Sequence, residues 1–244
     1  MLKNLEIKLP EMPSLERHKA ASAQWLSRIK PLLYENWPQA LKDLSFKTDM
    51  VELSLDEQYK ILEAFDGQGD LTPIKNRLDE VIKSPVFSRL SSRSPKDAWT
   101  ETFKCSNGGE VLNLFTQSSR ILDDLIEYKY ADIPCYLLLR EWHDIPKQEE
   151  WRCFIRDRKF IGASQYFYNE EFENIHAYGL TETVNAIIPI LPIDTVVLDI
   201  WLKEKPMVIE INPYGLSDPC LFTYKELESA KGEIKTNNTT HAMI

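Results

Sequence analysis

The 244-residue sequence predicts an α+β protein built as two lobes. Three observations carry that expectation. Segments with helical spacing alternate with short apolar runs that read as antiparallel strands. Near the C-terminal end, two β-branched runs, Val196-Val197-Leu198-Asp199-Ile200-Trp201 and Met207-Val208-Ile209-Glu210-Ile211-Asn212-Pro213, flank Lys203-Glu204-Lys205-Pro206 and so predict a hairpin. No internal repeat or long Pro/Gly linker breaks the chain, which holds only 8 glycines.

The elements follow in order. Ser14 caps a helix over residues 14–33, where Ala20, Trp25, Ile29 and Leu32 share a face. Residues 48–53 read as a strand, and Ser54-Leu55-Asp56-Glu57 is a capping box opening a helix through Phe65. Gly67-Gln68-Gly69-Asp70 is a turn, and Thr72-Pro73 supplies a cap and first-turn proline for a helix reaching Ile82. Val86–Leu90 is a short strand, and Ser94-Pro95 starts another helix. Residues 109–130 are helical with a break at Ser118-Ser119. After Pro134 come strands at 135–140, 151–156 and 159–166, then helix over 170–190, then the hairpin. From Ser229 onward the Lys-, Asn- and Thr-rich sequence reads as a solvated tail. The expected division is an N-terminal lobe over 1–134, a C-terminal lobe over 135–228 and a polar tail over 229–244.

Hydrophobic residues at 43% and charged residues at 27% fit a globular chain. A net charge of −9 without a basic stripe argues against a general nucleic-acid binder. Residues 1–8 lack the apolar core of a secretory signal, and no run approaches the ~18 apolar residues of a membrane span. A soluble, cytoplasmic monomer is expected, with no membrane partner. Cys105, Cys135, Cys153 and Cys220 are too scattered for a zinc site or a disulfide framework. His18, His143, His176 and His241 form no ligand spacing, and Trp142, Trp151 and Trp201 read as core aromatics. No Walker loop or Rossmann fingerprint occurs.

The hairpin carries the first chemistry. A two-residue turn at Glu204-Lys205 sets Asp199 opposite Glu210, and Asn212 shares the face of Glu210. Buried like charges repel unless a cation lies between them, and this all-oxygen set suits Mg²⁺. The other reading is acids at solvent-facing strand ends. On the first reading, Asp199→Asn relieves repulsion in the metal-free form. Arg140 and Arg152 sit in or beside apolar strands, where each needs a carboxylate or a phosphate. Lys96, just inside the expected helix start, is either an anion contact or a solvated surface residue.

Further motifs occur in series: Pro95-Lys96-Asp97-Ala98, Leu139-Arg140-Glu141-Trp142, Trp151-Arg152-Cys153-Phe154-Ile155, Ile161-Gly162-Ala163-Ser164-Gln165, Ile209-Glu210-Ile211-Asn212-Pro213-Tyr214-Gly215 and Cys220-Leu221-Phe222-Thr223-Tyr224-Lys225-Glu226-Leu227. Together they resemble the motifs of the cell division cycle protein 123 family, strongly from Val86 to Leu227. The resemblance implies an ATP-grasp fold with nucleotide between two lobes. It implies an assembly chaperone for eukaryotic translation initiation factor 2, binding that factor's γ subunit. It carries ATP contacts onto Arg89, Lys96, Leu137, Leu138, Leu139, Arg140, Arg152, Asp199, Glu210 and Asn212, and Mg²⁺ onto Asp199, Glu210 and Asn212. Leu137, Leu138 and Leu139 enter as the interlobe strand against adenine. Arg89 stands where the family has lysine, Glu210 where it has aspartate, and Tyr166-Phe167 where it usually has Arg-Asp. With no acceptor site identifiable, ATP is expected to be bound rather than consumed. The alternatives are an ATP-dependent carboxylate–amine-type ligase and a nucleotide-dependent scaffold for another partner.

Overall fold

The computed structural model describes residues 14–173 and 175–237. The sequence readings for residues 1–8, for His241 and for the last part of the tail lie outside the described residues.

Local chemistry starts most elements where the sequence places them. In α1 (Leu15–Ile29), Ser14 accepts from the Arg17 N–H, and Pro31 then tightens the chain into a 3₁₀ turn over Lys30–Leu32. After a short α2 (Gln39–Lys42), β1 (Thr48–Leu53) leads into α3 (Leu55–Phe65) through the Ser54/Glu57 capping box. α4 (Thr72–Val81) begins with Pro73 in its first turn, but Asp70 rather than Thr72 supplies the side-chain acceptor, 3.0 Å from the Thr72 N–H. β2 (Val86–Leu90) and the two-residue β3 (Lys104–Cys105) precede α5 (Gly108–Thr116) and α6 (Ser119–Ala131). The break between these helices is the Ser118 cap, which accepts from the Ile121 N–H. β4 (Cys135–Glu141), β5 (Glu150–Arg156) and β6 (Lys159–Gln165) follow, then α7 (Leu180–Ile187), β7 (Val196–Trp201), β8 (Met207–Pro213), α8 (Tyr224–Leu227) and β9 (Glu233–Lys235).

Two sheets result, one ordered β1-β4-β2-β3 and one β8-β7-β5-β6-β9. Among the described residues the named strands all pair antiparallel except β9 with β6, and an isolated parallel bridge joins Ser45 to Val208 on β8. The expected boundary at residue 134 falls one strand early, because β4 pairs with both β1 and β2. The reason lies in the apolar run of β4. Leu137 and Leu139 face the helical core of the first sheet, whereas Leu138 joins the core of the second. A strand buried on both faces reads as continuous apolar sequence, which periodicity cannot assign to either lobe. The N-terminal segment also crosses over, since Leu32, Tyr34, Trp37 and Leu41 pack in the second core.

Three other expectations are corrected. No helix starts at Ser94-Pro95: the Ala98 N–H returns to the Pro95 carbonyl in a turn, and the Asp97 carboxylate instead accepts from the Arg120 N–H in the first turn of α6. Among the described residues of 170–190, helix is limited to α7 and a 3₁₀ turn over Ile188–Ile190, with Gly179 at φ 74° where α7 begins. The tail is not wholly solvated, because β9 extends the second sheet and Ile234 packs against its core. Gly162 permits that approach, since a Cβ there would lie 3.1 Å from the Glu233 carbonyl oxygen and 3.1 Å from the Phe222 ring.

Candidate functional site

The hairpin delivers its expected pair by a different route. β7 and β8 are joined by five residues, 202–206, and not by a two-residue turn. Trp201 pairs with Met207 and Ile200 with Val208, after which a bulge shifts the register so that Asp199 faces Glu210. Ile209 is the extra residue. Its insertion lets Val208 and Ile211, three apart, both enter the core, while Ile209 and Glu210 both face the cleft. Asn212 then shares the face of Glu210, and its Nδ2 lies 3.0 Å from Asp199 Oδ2.

The acids are compensated by arginines. Arg152, opposite Asp199 on β5, grips both of its oxygens at 2.8 Å. Arg89, on β2 of the other sheet, reaches Glu210 Oε1 at 2.6 Å and so ties the two sheets together across the cleft. The like-charge repulsion expected from sequence is therefore already relieved by guanidinium groups. Burial acts to raise the Glu210 pKa, but Arg89 and Lys96 outweigh it and hold the carboxyl below its ordinary range. Asp199 is only 1% exposed and lies beneath the cleft wall.

Arg140 differs. Its Nη1 donates to the Ile209 carbonyl, its guanidinium lies over Tyr34 and Trp37, and its buried Nε has no partner. Burial and the neighbouring Arg89 push its pKa down to about 9. Among the described residues no carboxylate forms an ion pair with it. Glu150, buried at the start of β5, is raised to about 7, first by burial and then by Asp199 and Glu210, against the pull of Lys96. Four cations (Arg89, Lys96, Arg140, Arg152) thus gather with three acids (Glu150, Asp199, Glu210), one of them titrating near neutrality. Among the described residues neither Lys96 nor Arg140 forms an ion pair, which leaves two cations suited to an anion.

Two cavities meet here. The larger, about 680 Å³, is lined by polar groups including Arg120, Arg152, Asn212 and Asp218. The smaller, about 500 Å³, is walled by Phe46, Phe87, Phe103, Trp142, Ile145 and Ile209. Lys96, Tyr166 and Glu210 line both. An apolar slot leading to a cationic junction fits a flat heterocycle attached to phosphates.

Of the residues picked from sequence, Arg89, Lys96, Arg140, Arg152, Glu210 and Asn212 line these cavities and Asp199 anchors one of them. Leu137, Leu138 and Leu139 do not: they are at most 1% exposed and belong to the cores, so the slot is flanked instead by Glu141, Trp142 and His143 just beyond them. Trp151 is a core aromatic, but Trp142 lines the slot and Trp201 is half-buried against Phe46. Lys96 stands in a turn rather than a helix start. Sequence reasoning passed over Glu150, although strand alternation from Arg152 already places the two on one face. The slot aromatics come from distant segments and carry no joint signal.

For a metal, Glu210 and Asn212 present hard oxygens from one face of β8, with Asp199 beneath. That set fits Mg²⁺, which needs only one or two carboxylates when phosphates supply the rest. Among the described residues, no group of three or more His, Cys, Asp or Glu side chains forms an all-protein cage.

The molecule is thus a two-sheet α+β protein with a cationic cleft between the sheets. The chain belongs to the D123 family, whose model matches residues 33–244. It is 33% identical over 186 residues to a protein of Candida albicans named translation initiation factor eIF2 assembly protein, covering 65% of this chain and 54% of that one. A Xenopus laevis protein of the same name is 29% identical over 207 residues, covering 73% and 59%. A Candida glabrata protein named cell division cycle protein 123 is 28% identical over 226 residues, covering 78% and 64%. This chain therefore spans about half to two thirds of these curated relatives. Its fold is that of Cdc123 from Schizosaccharomyces pombe, with a TM-score of 0.72 at 22% identity over 87% of this chain and 98% of that one. The α+β class expected from sequence stands. No helix among the described residues is long and apolar enough to cross a membrane.

Proposed function

We propose that this protein is an ATP-grasp-type protein that binds Mg²⁺–ATP in the cleft and assists assembly of eukaryotic translation initiation factor 2 by binding its γ subunit. Arg140 supports the nucleotide reading most directly: a buried guanidinium that lines the slot with an unpartnered Nε and no ion-paired carboxylate. In this reading the aromatic slot takes the base, and Arg89, Lys96 and Arg140 take phosphates, with Arg152 fixed below by Asp199. Mg²⁺ held by Glu210 and Asn212, with Asp199, would neutralise and orient those phosphates. The names of the relatives support the partner class, and the γ subunit follows from the motif resemblance. The same reading makes the protein a cytoplasmic monomer.

Calorimetric titration with ATP tests the first part: affinity is expected with Mg²⁺ and largely lost with chelator, whereas equal heats in both conditions remove the metal. Pull-down of the isolated γ subunit tests the second, with stronger capture expected when Mg²⁺–ATP is present. A ligase remains the second reading because the polar cavity beyond Lys96 and Tyr166 has room for an acceptor. ADP release measured alongside binding separates the two. Little turnover is expected, and rapid amine-stimulated ADP formation would favour the ligase.

A further inference from the structure

Tyr166 follows the last residue of β6 and, with Ser94, Lys96, Phe167 and Glu210, lines both the apolar slot and the polar cavity. Its backbone N–H donates to the Glu150 carbonyl at 3.0 Å, which continues the pairing with β5 and fixes where the ring projects. Two cations lie against that ring: Lys96 Nζ and the Arg152 guanidinium are each 4.8 Å from its centroid. Lys96 Nζ also donates to the phenol oxygen at 2.8 Å. A phenol that accepts from an ammonium still has its own proton, and that proton is free to point elsewhere. Burial raises the Tyr166 pKa, so the hydroxyl keeps its proton through the physiological range. Ammonium and phenol O–H therefore form two adjacent donors at the mouth of the cationic junction.

We propose that Tyr166 and Lys96 together receive the outermost phosphoryl group of a bound nucleoside polyphosphate, Tyr166 donating the hydrogen bond that separates a triphosphate from a monophosphate. This rests on the cleft being a nucleotide site, as proposed above. The chain thus meets the terminal phosphate with a neutral donor backed by a cation, at a position where the related motif usually has an arginine.

Tyr166→Phe removes the hydroxyl and keeps the ring that both cations contact. The full chain and this variant are titrated calorimetrically with ATP, ADP and AMP in Mg²⁺ buffer. The variant should lose about tenfold or more in ATP affinity, the scale of a hydrogen bond to a charged group, with AMP affinity within about twofold of the parent. Lys96→Met and the double variant complete a cycle. The double variant should be less impaired than the two single losses predict, because the lysine orients the phenol proton. An equal loss for AMP and ATP, an unchanged ATP affinity, or a gain in affinity would each overturn the assignment. Failure of the parent chain to bind any nucleotide overturns this assignment and the underlying function alike. Nucleotide binding by the parent with an unaltered variant overturns only the role of Tyr166.

Discussion

At the scale of single residues, the charges in the cleft are matched by specific partners, and removing one strands the other. Asp199→Asn takes from Arg152 the partner that binds it through two 2.8 Å hydrogen bonds, leaving a guanidinium whose side chain is 8% exposed. Breaking a buried pair costs on the order of 3 kcal/mol, so the ligand-free variant should melt lower than the parent. That reverses the relief expected from two facing acids, and an unchanged or higher Tm would restore the repulsion argument. Glu150 gives a pH signature. Its pKa is raised to about 7, so between the ordinary carboxylate range and that value the folded state holds a proton that the unfolded chain releases. Its contribution to stability is therefore present at low pH and lost as pH rises through about 7. Glu150→Gln should raise the Tm at pH 8 and flatten its fall between pH 5 and 8, by up to about 3 kcal/mol. An identical pH profile in parent and variant would place the carboxyl in contact with solvent. Arg89→Ala should weaken ATP by roughly 1.5–3 kcal/mol while Arg89→Lys retains more, since lysine keeps the charge without the fork; equal affinities for Arg89→Ala and the parent remove Arg89 from the site. Asp199, Glu210, Arg140 and Arg152 were legible in the sequence because charge in or beside apolar runs is conspicuous, whereas Arg89 entered through the motif resemblance and Glu150 was passed over. The pairing of acids with arginines was not legible, since Arg89 and Glu210 are 121 residues apart and no local period links them.

At the scale of elements, the bulge in β8 decides which side chains the cleft receives. Deleting Ile209 should restore a regular ladder that keeps Val208 and Ile211 in the core and Glu210 opposite Asp199, but it removes an apolar wall of the slot and the carbonyl to which Arg140 donates. Such a variant should bind ATP more weakly while keeping most of its far-UV circular dichroism, and an unaltered affinity would mean that the bulge is incidental. β9 offers a second test. It pairs with β6, and Lys235 bonds the Leu221 carbonyl and Glu226, so it holds α8 against the sheet. A chain ending at Gly232 should have a lower Tm, and wild-type stability would show that edge pairing contributes nothing. Strand limits such as Thr48–Leu53 and Val86–Leu90, and caps at Ser14, Ser54 and Ser118, follow from local sequence. The bulge and β9 do not, because each exists only once a partner strand is in place.

At the scale of the whole molecule, the two sheets are not separable units. β4 serves both cores through alternate leucines, and the segment before β1 packs against the second sheet. Heating should give one calorimetric transition for the described chain, raised by Mg²⁺–ATP; two resolved transitions would mark independent lobes. The Ser45–Val208 bridge has a further consequence. The Val208 N–H donates to the Leu44 carbonyl at 2.7 Å and the Ser45 hydroxyl to the Val208 carbonyl at 2.7 Å, so the outer edge of β8 is closed by a segment 163 residues earlier in the chain. During synthesis the early segment must wait for its partner. At ~5–20 residues per second the wait is on the order of ten seconds, during which Trp37 and Leu41 have no core to enter. The closed edge that guards the finished sheet therefore leaves the nascent chain exposed on the ribosome, and this protein is itself expected to need holding before it folds.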